Sequence, residues 1–402
     1  MLRKVIIPFF IILFAFTGCC MPSAESPSAE TQAVTTAGDI QESESLFKGA
    51  WISYFELNRS GRSEEEYREY MRGLFENMKA VSVTDVFLHV RAAGDAAYVS
   101  GLFPPAEYIC GEEKELPFDV LEMALGFGEQ YGMNIHAWIN PYRAFSEDDT
   151  ESLPVCRLKT LLEDEKINPV KVNGKNYLNP ASDEVRTLII DGVREILSRY
   201  PDVRGIHIDD YFYPEGCGNF DKAEYESYIS DGGKLSLYDF RRENVNSLVS
   251  GIYAAVKNYG SDKIFSVSPS GDIDKNYNTL YADVSLWCSV GGYCDMIIPQ
   301  IYFGFENEAM PFEKTVDRWA LLTENSSTRL VIGLALYKCG TEDAYAGDGG
   351  KNEWLEHSDI IKRQVEYIRQ KNLHGFSLYS ASFINFSESF LSEEVNNLKS
   401  VL

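Results

Sequence analysis

Residues 205–214 read GIHIDDYFYP, a short apolar run that ends in two adjacent aspartates followed by aromatic residues. Alternation along the run predicts a strand with Ile206 and Ile208 on one face and His207 and Asp209 on the other. Two neighbouring carboxylates repel each other, and rings beside them lower the local polarity. The stretch therefore predicts a strand whose carboxyl end carries chemistry.

Seven further β-rich apolar runs alternate along the chain with amphipathic helical patterns. Because strict alternation of strands and helices produces a parallel sheet, eight pairs predict a closed (β/α)₈ TIM barrel. No GxGxxG motif follows the first run, which disfavours a dinucleotide-binding doubly wound sheet. The expected strands are 49–54, 84–91, 134–140, 205–210, 264–270, 295–303, 330–337 and 375–381, and the expected helices are 63–80, 182–200, 236–260, 311–322, 358–372 and 387–400.

The amino-terminal residues predict export. A basic MLRK segment precedes the apolar run VIIPFFIILFAF, which is shorter than the ~20 residues that a membrane-spanning helix needs. Residues 1–19 therefore predict a signal peptide ending in FTGC, which resembles a bacterial lipobox with Cys19 as the lipidated residue and Phe16 in the place of the usual leucine. An ordinary cleaved signal peptide is the alternative. Residues 20–45 predict a flexible linker, since they contain few large apolar side chains, and the barrel is expected over 46–402.

The charge balance excludes some partners. Lys and Arg number 37 against 61 Asp and Glu, a formal net charge of −24. A nucleic-acid-binding protein normally presents a basic patch, so this balance argues against nucleic acid and against electrostatic binding to an anionic membrane. The six cysteines beyond Cys20 have no CxxC spacing, which argues against a zinc ribbon and leaves their pairing open.

Polar side chains collect on the inward faces of the predicted strands near their carboxyl ends, where barrel enzymes place their active sites. Alternation directs Asp209 into the mouth of the barrel and places Asp210 at the start of the next loop. Such a pocket suits a sugar, because aromatic rings cover C–H faces and planar polar groups hold hydroxyls. Further residues expected to face inward are Phe87, His89, Arg91, His136, Trp138, Asn140, Ser266, Ser268, Ser270, Gln300 and Tyr302.

Hydrolysis of a glycosidic bond usually takes two carboxyl groups, one acid and one nucleophile or base. We expect Asp209 to be the nucleophile or base, and Asp210, Asp95 or Glu306 to be the acid. The acid needs a raised pKa, which a neighbouring carboxylate and nearby rings supply. A structural role for Asp210, capping its loop or pairing with an arginine, is the alternative.

Three of the five histidines, His89, His136 and His207, are expected on inward faces of neighbouring strands. A metallohydrolase needs such a cluster. However, the sequence has no HxH on the first strand and no HxxxH, and each histidine precedes the end of its strand. We therefore expect buried histidines that are hydrogen-bonded to neighbours, and no metal or other cofactor. The same missing histidine pair disfavours a metal-dependent polysaccharide deacetylase.

Seven blocks in order carry a resemblance to a known family. They are KGAWISYFEL, FLHVRAAGDAAYVSGLFPPAEY, HAWINPYR, YLNPASDEVR, GIHIDDYFYP, SVSPSG and DMIIPQIYFGF. Together they resemble the glycosyl hydrolase-like 10 family over residues 48–383. The resemblance implies a (β/α)₈ barrel with glycoside hydrolase activity, exported in bacteria as a lipoprotein on the outer face of the cell membrane and acting on peptidoglycan glycan strands.

The resemblance also implies which residues form the site. The blocks differ from the usual family pattern at His89, where glutamine is more common, and at Ala92, where proline is. A barrel that binds carbohydrate without catalysis and scaffolds cell-wall proteins is the rival interpretation, and the oligomeric state stays open. The implied site residues are Arg91, Asp95, Asn140, Tyr142, Arg143, Asp209, Asp210, Tyr211, Gln300 and Tyr302, to which alternation adds Trp138.

Overall fold

The computed structural model describes residues 46–145, 153–387 and 389–402. The predicted signal peptide, Cys19 and the linker lie outside these residues. The strands are β1 Phe47–Ile52, β2 Asp85–Arg91, β3 Asn134–Ile139, β4 Val170–Val172, β5 Lys175–Tyr177, β6 Gly205–Ile208, β7 Ile264–Val267, β8 Met296–Ile297, β9 Arg329–Leu334 and β10 Gly375–Tyr379. The α-helices are α1 Tyr54–Leu57, α2 Glu64–Ala80, α3 Glu107–Cys110, α4 Val120–Tyr131, α5 Arg157–Glu163, α6 Asp183–Arg199, α7 Lys222–Ser230, α8 Leu237–Tyr259, α9 Ile273–Asn278, α10 Val284–Ser289, α11 Phe312–Thr323, α12 Gly347–Gly350, α13 Glu353–Glu356, α14 Ile360–Gln370 and α15 Phe390–Lys399.

Eight parallel strands close into a barrel in the order β1, β2, β3, β6, β7, β8, β9 and β10, and β10 pairs with β1. Every strand expected from the sequence overlaps one barrel strand, so the predicted (β/α)₈ TIM barrel is confirmed. A capping box opens helix α2, since the Ser63 side chain accepts from the Glu66 amide and Glu66 bonds back to the Ser63 amide. The periodic pattern did not predict helix α4.

A small antiparallel hairpin, β4 with β5, was also not predicted. Its turn is Asn173–Gly174, and both residues have positive φ, 49° and 77°. Asn-Gly is the usual pair for a two-residue hairpin turn, so the signal was present in the sequence. The hairpin matters for function because Tyr177 in β5 bridges to Arg143 and so supports the loop after β3.

Apolar side chains fill the barrel from inside and cover it from outside. Outward residues such as Val86, Ile135 and Ile206 join the core beneath the helices. An interior cluster contains Trp51, Phe87, Trp138, Met296, Ile298 and Val331. Because the interior is packed, a ligand can enter only above this layer, at the carboxyl ends of the strands.

Two further findings concern the described chain as a whole. None of its helices is both long and apolar enough to span a lipid bilayer. Its six cysteines, Cys110, Cys156, Cys217, Cys288, Cys294 and Cys339, are buried free thiols.

Candidate active site

Two of the three inward histidines lie inside the barrel, below the mouth. Trp51 Nε1 donates to His207 Nε2 at 3.0 Å, so Nδ1 of His207 carries the proton and donates to Ser266 Oγ at 2.8 Å. Burial lowers the pKa of His207 well below its ordinary value, so the ring is neutral. His136 Nε2 bonds to Asp85 at 2.9 Å. The expectation of buried, hydrogen-bonded histidines is confirmed for this pair.

His89 differs from the other two histidines. Its ring stacks on Trp138 with the centroids 3.6 Å apart and the planes at 9°. Within the described chain neither ring nitrogen has a partner of good hydrogen-bond geometry, although the Arg91 backbone lies near enough to favour the charged ring. Burial, and then the nearby charge of Arg143, lowers the pKa of His89 well below its ordinary value. The neutral ring therefore supports the indole of Trp138 by stacking.

Trp138 fixes the first aspartate of the opening stretch. Its Nε1 donates to Asp209 Oδ2 at 3.0 Å, and the Tyr211 amide approaches Asp209 Oδ1 at 3.4 Å. Only 2% of Asp209 is exposed. Burial, and next the adjacent charge of Asp210, raises the pKa of Asp209 well above its ordinary value. This carboxyl group therefore holds its proton more strongly than an ordinary aspartic acid.

Asp210 has a different environment. It is partly buried and shares a side-chain hydrogen bond with Gln300. Burial raises the pKa of Asp210, while the Gln300 bond and the charge of Lys275 act in the opposite direction. The two carboxyl groups are neighbours in one electrostatic site: Asp209 is buried against Trp138 with Arg143 nearby, and Asp210 is partly exposed beside Gln300 and Lys275.

The strand register surrounds Asp209 with polar side chains. Ile139, Ile208 and Val267 lie side by side in β3, β6 and β7, so the residues that follow them, Asn140, Asp209 and Ser268, reach the same level. Asn140 is fully buried. Within the described residues its side-chain amide and Ser268 Oγ have no hydrogen-bond partner. Buried polar groups are normally paired, so this row has unused capacity for a ligand or water.

Arg143 and aromatic rings form the rim of the mouth. The Arg143 guanidinium lies between two tyrosines, 5.5 Å from the Tyr54 ring and 5.0 Å from the Tyr211 ring. A second group comes from the segments after β8 and β9 and from the end of β10, and consists of Tyr302, Tyr337 and Tyr379, with each pair of ring centroids 5.8 Å apart. The carboxyl pair acts electrostatically on Tyr302 and Tyr211, which places both ring groups beside it.

Arg91 lies outside the barrel wall, so the expected inward orientation was wrong. A β-bulge after His89 makes Arg91 pair with Ile139. Residues opposite each other on neighbouring strands share a face, and Ile139 packs beneath the helices. The guanidinium therefore lies 4.3 Å from the Phe103 ring, next to Gly192 of α6.

Three other predicted residues also lie away from the carboxyl pair. Tyr142 is fully buried in the core beneath the helices. Asp95 folds back on its own loop, where Oδ1 accepts from the amides of Ala92 at 3.0 Å and Ala93 at 2.9 Å. Glu306 is exposed, and its backbone amide donates to Glu353. The structure thus brings together Trp138, Asn140, Arg143, Asp209, Asp210, Tyr211, Gln300 and Tyr302.

Lys275 was missed by the sequence reasoning. It lies in α9, directly behind β7, and its ammonium is 2.5 Å from the Glu215 carboxylate in the loop after β6. The signal was its position, because the first helix turn after a barrel strand lies at the mouth. Among the described residues, no group of three or more His, Cys, Asp and Glu side chains is arranged to hold a metal ion.

The sequence is similar to proteins of a known family. A model of the family described as glycosyl hydrolase-like 10 matches residues 47–346. The chain belongs to this family. Glycosyl hydrolase DigH of Escherichia coli strain K12 is 27% identical over 423 residues, covering 94% of this chain and 93% of DigH. Glycosyl hydrolase YngK of Bacillus subtilis strain 168 is 31% identical over 340 residues, covering 79% of this chain and 63% of YngK.

Solved structures share the fold of this glycosyl hydrolase-like 10 protein. The glycoside hydrolase domain of PgaB (BpsB) from Bordetella bronchiseptica superposes with a TM-score of 0.60 at 12% identity, covering 89% of this chain and 98% of that domain. A β-galactosidase from the psychrophilic Marinomonas ef1 gives a TM-score of 0.55 at 11% identity, covering 88% of this chain and 59% of that one. Family membership makes the chain a glycoside hydrolase.

Proposed function

We propose that the protein hydrolyses glycan strands of the bacterial cell wall, with Asp209 as general acid and Asp210 as base or nucleophile. The observation that carries the proposal is the carboxyl pair at the barrel mouth, one member enclosed by Trp138 and the other held by Gln300. A glycosidase needs two carboxyl groups in different protonation states, and unequal surroundings provide them.

The roles follow from the two environments. Adjacent carboxylates resist double ionisation, so the pair retains one proton. Asp209 is the more enclosed of the two, only 2% exposed, and burial raises its pKa, whereas Gln300 and Lys275 favour the charged form of the partly buried Asp210. The proton therefore belongs on Asp209, which can donate it to the oxygen of the leaving sugar. This assignment reverses the role that the sequence suggested for Asp209.

The rim favours a sugar polymer as substrate. Rings on two sides of the carboxyl pair offer flat apolar faces, and Arg143 between Tyr54 and Tyr211 offers a fixed cation with planar donors. Cell-wall glycan is the substrate that also agrees with the predicted export of the chain, because a tethered barrel outside the membrane meets the wall first.

Cleavage of wall glycan by the purified protein is the direct test. Peptide-free glycan strands should yield new reducing ends over time, measured by a colorimetric assay and by chromatography of the products. Chitin, cellulose and an α-glucan serve as comparison substrates. Cleavage of one of these instead of wall glycan would contradict the proposed substrate, and binding without any turnover would favour the carbohydrate-binding scaffold.

We also propose that the protein is exported and held on the outer face of the membrane by a lipid on Cys19. The motif FTGC at residues 16–19 and the apolar run before it support this. Labelled fatty acid supplied to cells should enter the wild-type chain and the Cys20→Ala variant, while Cys19→Ala should carry no label. Label that persists in Cys19→Ala would contradict the assignment.

A further inference from the structure

A groove leaves the barrel mouth on the side of β1 and β2. Its volume is ≈ 530 Å³, with Tyr54 and Arg143 at the end nearest the mouth. We call it the loop groove and define it by the segments 58–61, 92–95 and 107–111, which supply its other lining residues. A second cavity of ≈ 360 Å³ continues from it and shares Ala93, Asp95, Glu107 and Gly111 with it. The two cavities together form one depression along the loops that follow β1 and β2.

The floor of the loop groove is preorganised. Two backbone amides, of Ala92 and Ala93, hold Asp95 Oδ1 in a tight turn. Gly94 in this turn has a φ of +66°, which glycine adopts without strain. Tyr108 donates its hydroxyl to the His89 carbonyl at 3.2 Å, which attaches the far wall to strand β2. A fixed floor lowers the entropy cost of holding a flexible ligand.

The loop groove is connected to the catalytic pair through its inner end. The Arg143 guanidinium is 5.0 Å from the ring of Tyr211, whose amide approaches Asp209. The charge of Arg143 also acts directly on Asp209. Arg143 is therefore a lining residue of the loop groove and a neighbour of the carboxyl pair at the same time.

We propose that the loop groove binds the glycan chain on one side of the bond that is cut, several sugar units from the carboxyl pair. Its volume of ≈ 530 Å³ lies in the range of about 300–1,000 Å³ typical of small-molecule sites. Asn58, Arg59, Asp95 and Glu107 supply acceptors and donors for sugar hydroxyl and amide groups. The proposal rests on the glycosidase function proposed above. It adds that the enzyme prefers long glycan chains to short ones.

The test blocks the loop groove where its two cavities meet. Ala93 and Glu107 both line the two cavities, so Ala93→Trp places an indole ring where they meet. Glu107→Trp places a second indole there from the other side, at an exposed position of α3. Each variant should lower kcat/KM on long glycan strands by about tenfold or more, the size expected for the loss of a few sugar contacts. On a short chromogenic glycoside, which fills only the mouth, kcat/KM should change by less than about twofold.

Leu321→Trp is the matched control, because Leu321 is 70% exposed on α11 and lies outside the loop groove. Thermal melting of all three variants checks that they fold. Equal losses on long and short substrates, or no loss on long strands, would overturn the proposal. If the wild-type protein cleaves neither substrate, the glycosidase function fails by itself. In that case the affinity for long strands, measured by calorimetry, tests whether the loop groove binds glycan. Ala93→Trp and Glu107→Trp should then bind long strands more weakly than the wild-type protein, and Leu321→Trp should not.

Discussion

The Asp209→Asn variant should lose hydrolysis of wall glycan by about 10²–10⁴-fold in kcat, the contribution typical of a general acid. Asparagine keeps the shape of the side chain and can still accept the hydrogen bond from Trp138, so the barrel should remain folded. What it removes is the proton that burial and Asp210 keep on this carboxyl group. The measurement is kcat on wall glycan, with circular dichroism to confirm the fold.

A substrate that needs no acid separates the roles of the two aspartates. Nitrophenolate leaves without protonation, so Asp209→Asn should recover most of its loss on a nitrophenyl glycoside. Asp210→Asn should be slow on both substrates, because attack on the sugar still requires the missing carboxylate. If the good leaving group rescues Asp210→Asn instead, Asp209 is the nucleophile or base, as the sequence first suggested.

The pH profile gives an independent check with a definite sign. Asp209 must be protonated to act as an acid, so kcat/KM should fall as the pH rises through its pKa, which burial moves upward from the ordinary range. Asp210 must be ionised, so kcat/KM should also fall as the pH drops through the pKa of Asp210. The alkaline limb should disappear in Asp209→Asn, while the acid limb should remain.

Strand alternation predicted much of this site, because period-two geometry leaves little freedom inside a closed barrel. It directed Asp209, Trp138 and Gln300 to the mouth correctly. It failed at Arg91, since the β-bulge after His89 adds one residue and turns the next side chain outward. Nothing in the local sequence HVRAAGD marks that bulge, so alternation alone could not have found it.

Strand alternation could not predict the positions of side chains in the loops. Asp95 and Glu306 follow strand ends, as catalytic residues in barrels do, yet Asp95 folds back on its own loop and Glu306 is exposed, with its backbone amide bonded to Glu353. The roles of Asp209 and Asp210 could not be predicted from the sequence either. They depend on which carboxyl group is buried and which is hydrogen-bonded to Gln300. Those contacts join parts of the chain that are far apart in sequence.

Arg241→Met should destabilise the protein by about 3–5 kcal/mol, the usual cost of breaking a buried ion pair. Arg241 of α8 is 3% exposed and Asp221 is fully buried. The guanidinium binds Asp221 at 2.6 Å, the Gly218 carbonyl at 2.6 Å and the Tyr281 hydroxyl at 2.9 Å. Without Arg241, the buried Asp221 carboxyl group would keep one side-chain hydrogen bond among the described residues, from the Tyr213 hydroxyl at 3.0 Å. Urea unfolding gives the free energy of unfolding for the comparison.

The neighbouring residue provides the control for this ion pair. Arg242 pairs with Asp239, whose side chain is 49% exposed, so Arg242→Met leaves a carboxylate that water can reach and should cost clearly less than Arg241→Met. The double variant Asp221→Leu with Arg241→Met should be less destabilised than the sum of the two single changes, because it leaves no buried charge. Arg241 also holds the loop that begins at Asp209 against α8, so the single variant should lose activity below its unfolding temperature. Equal stability of Arg241→Met and Arg242→Met would show that the buried pair does not anchor this loop.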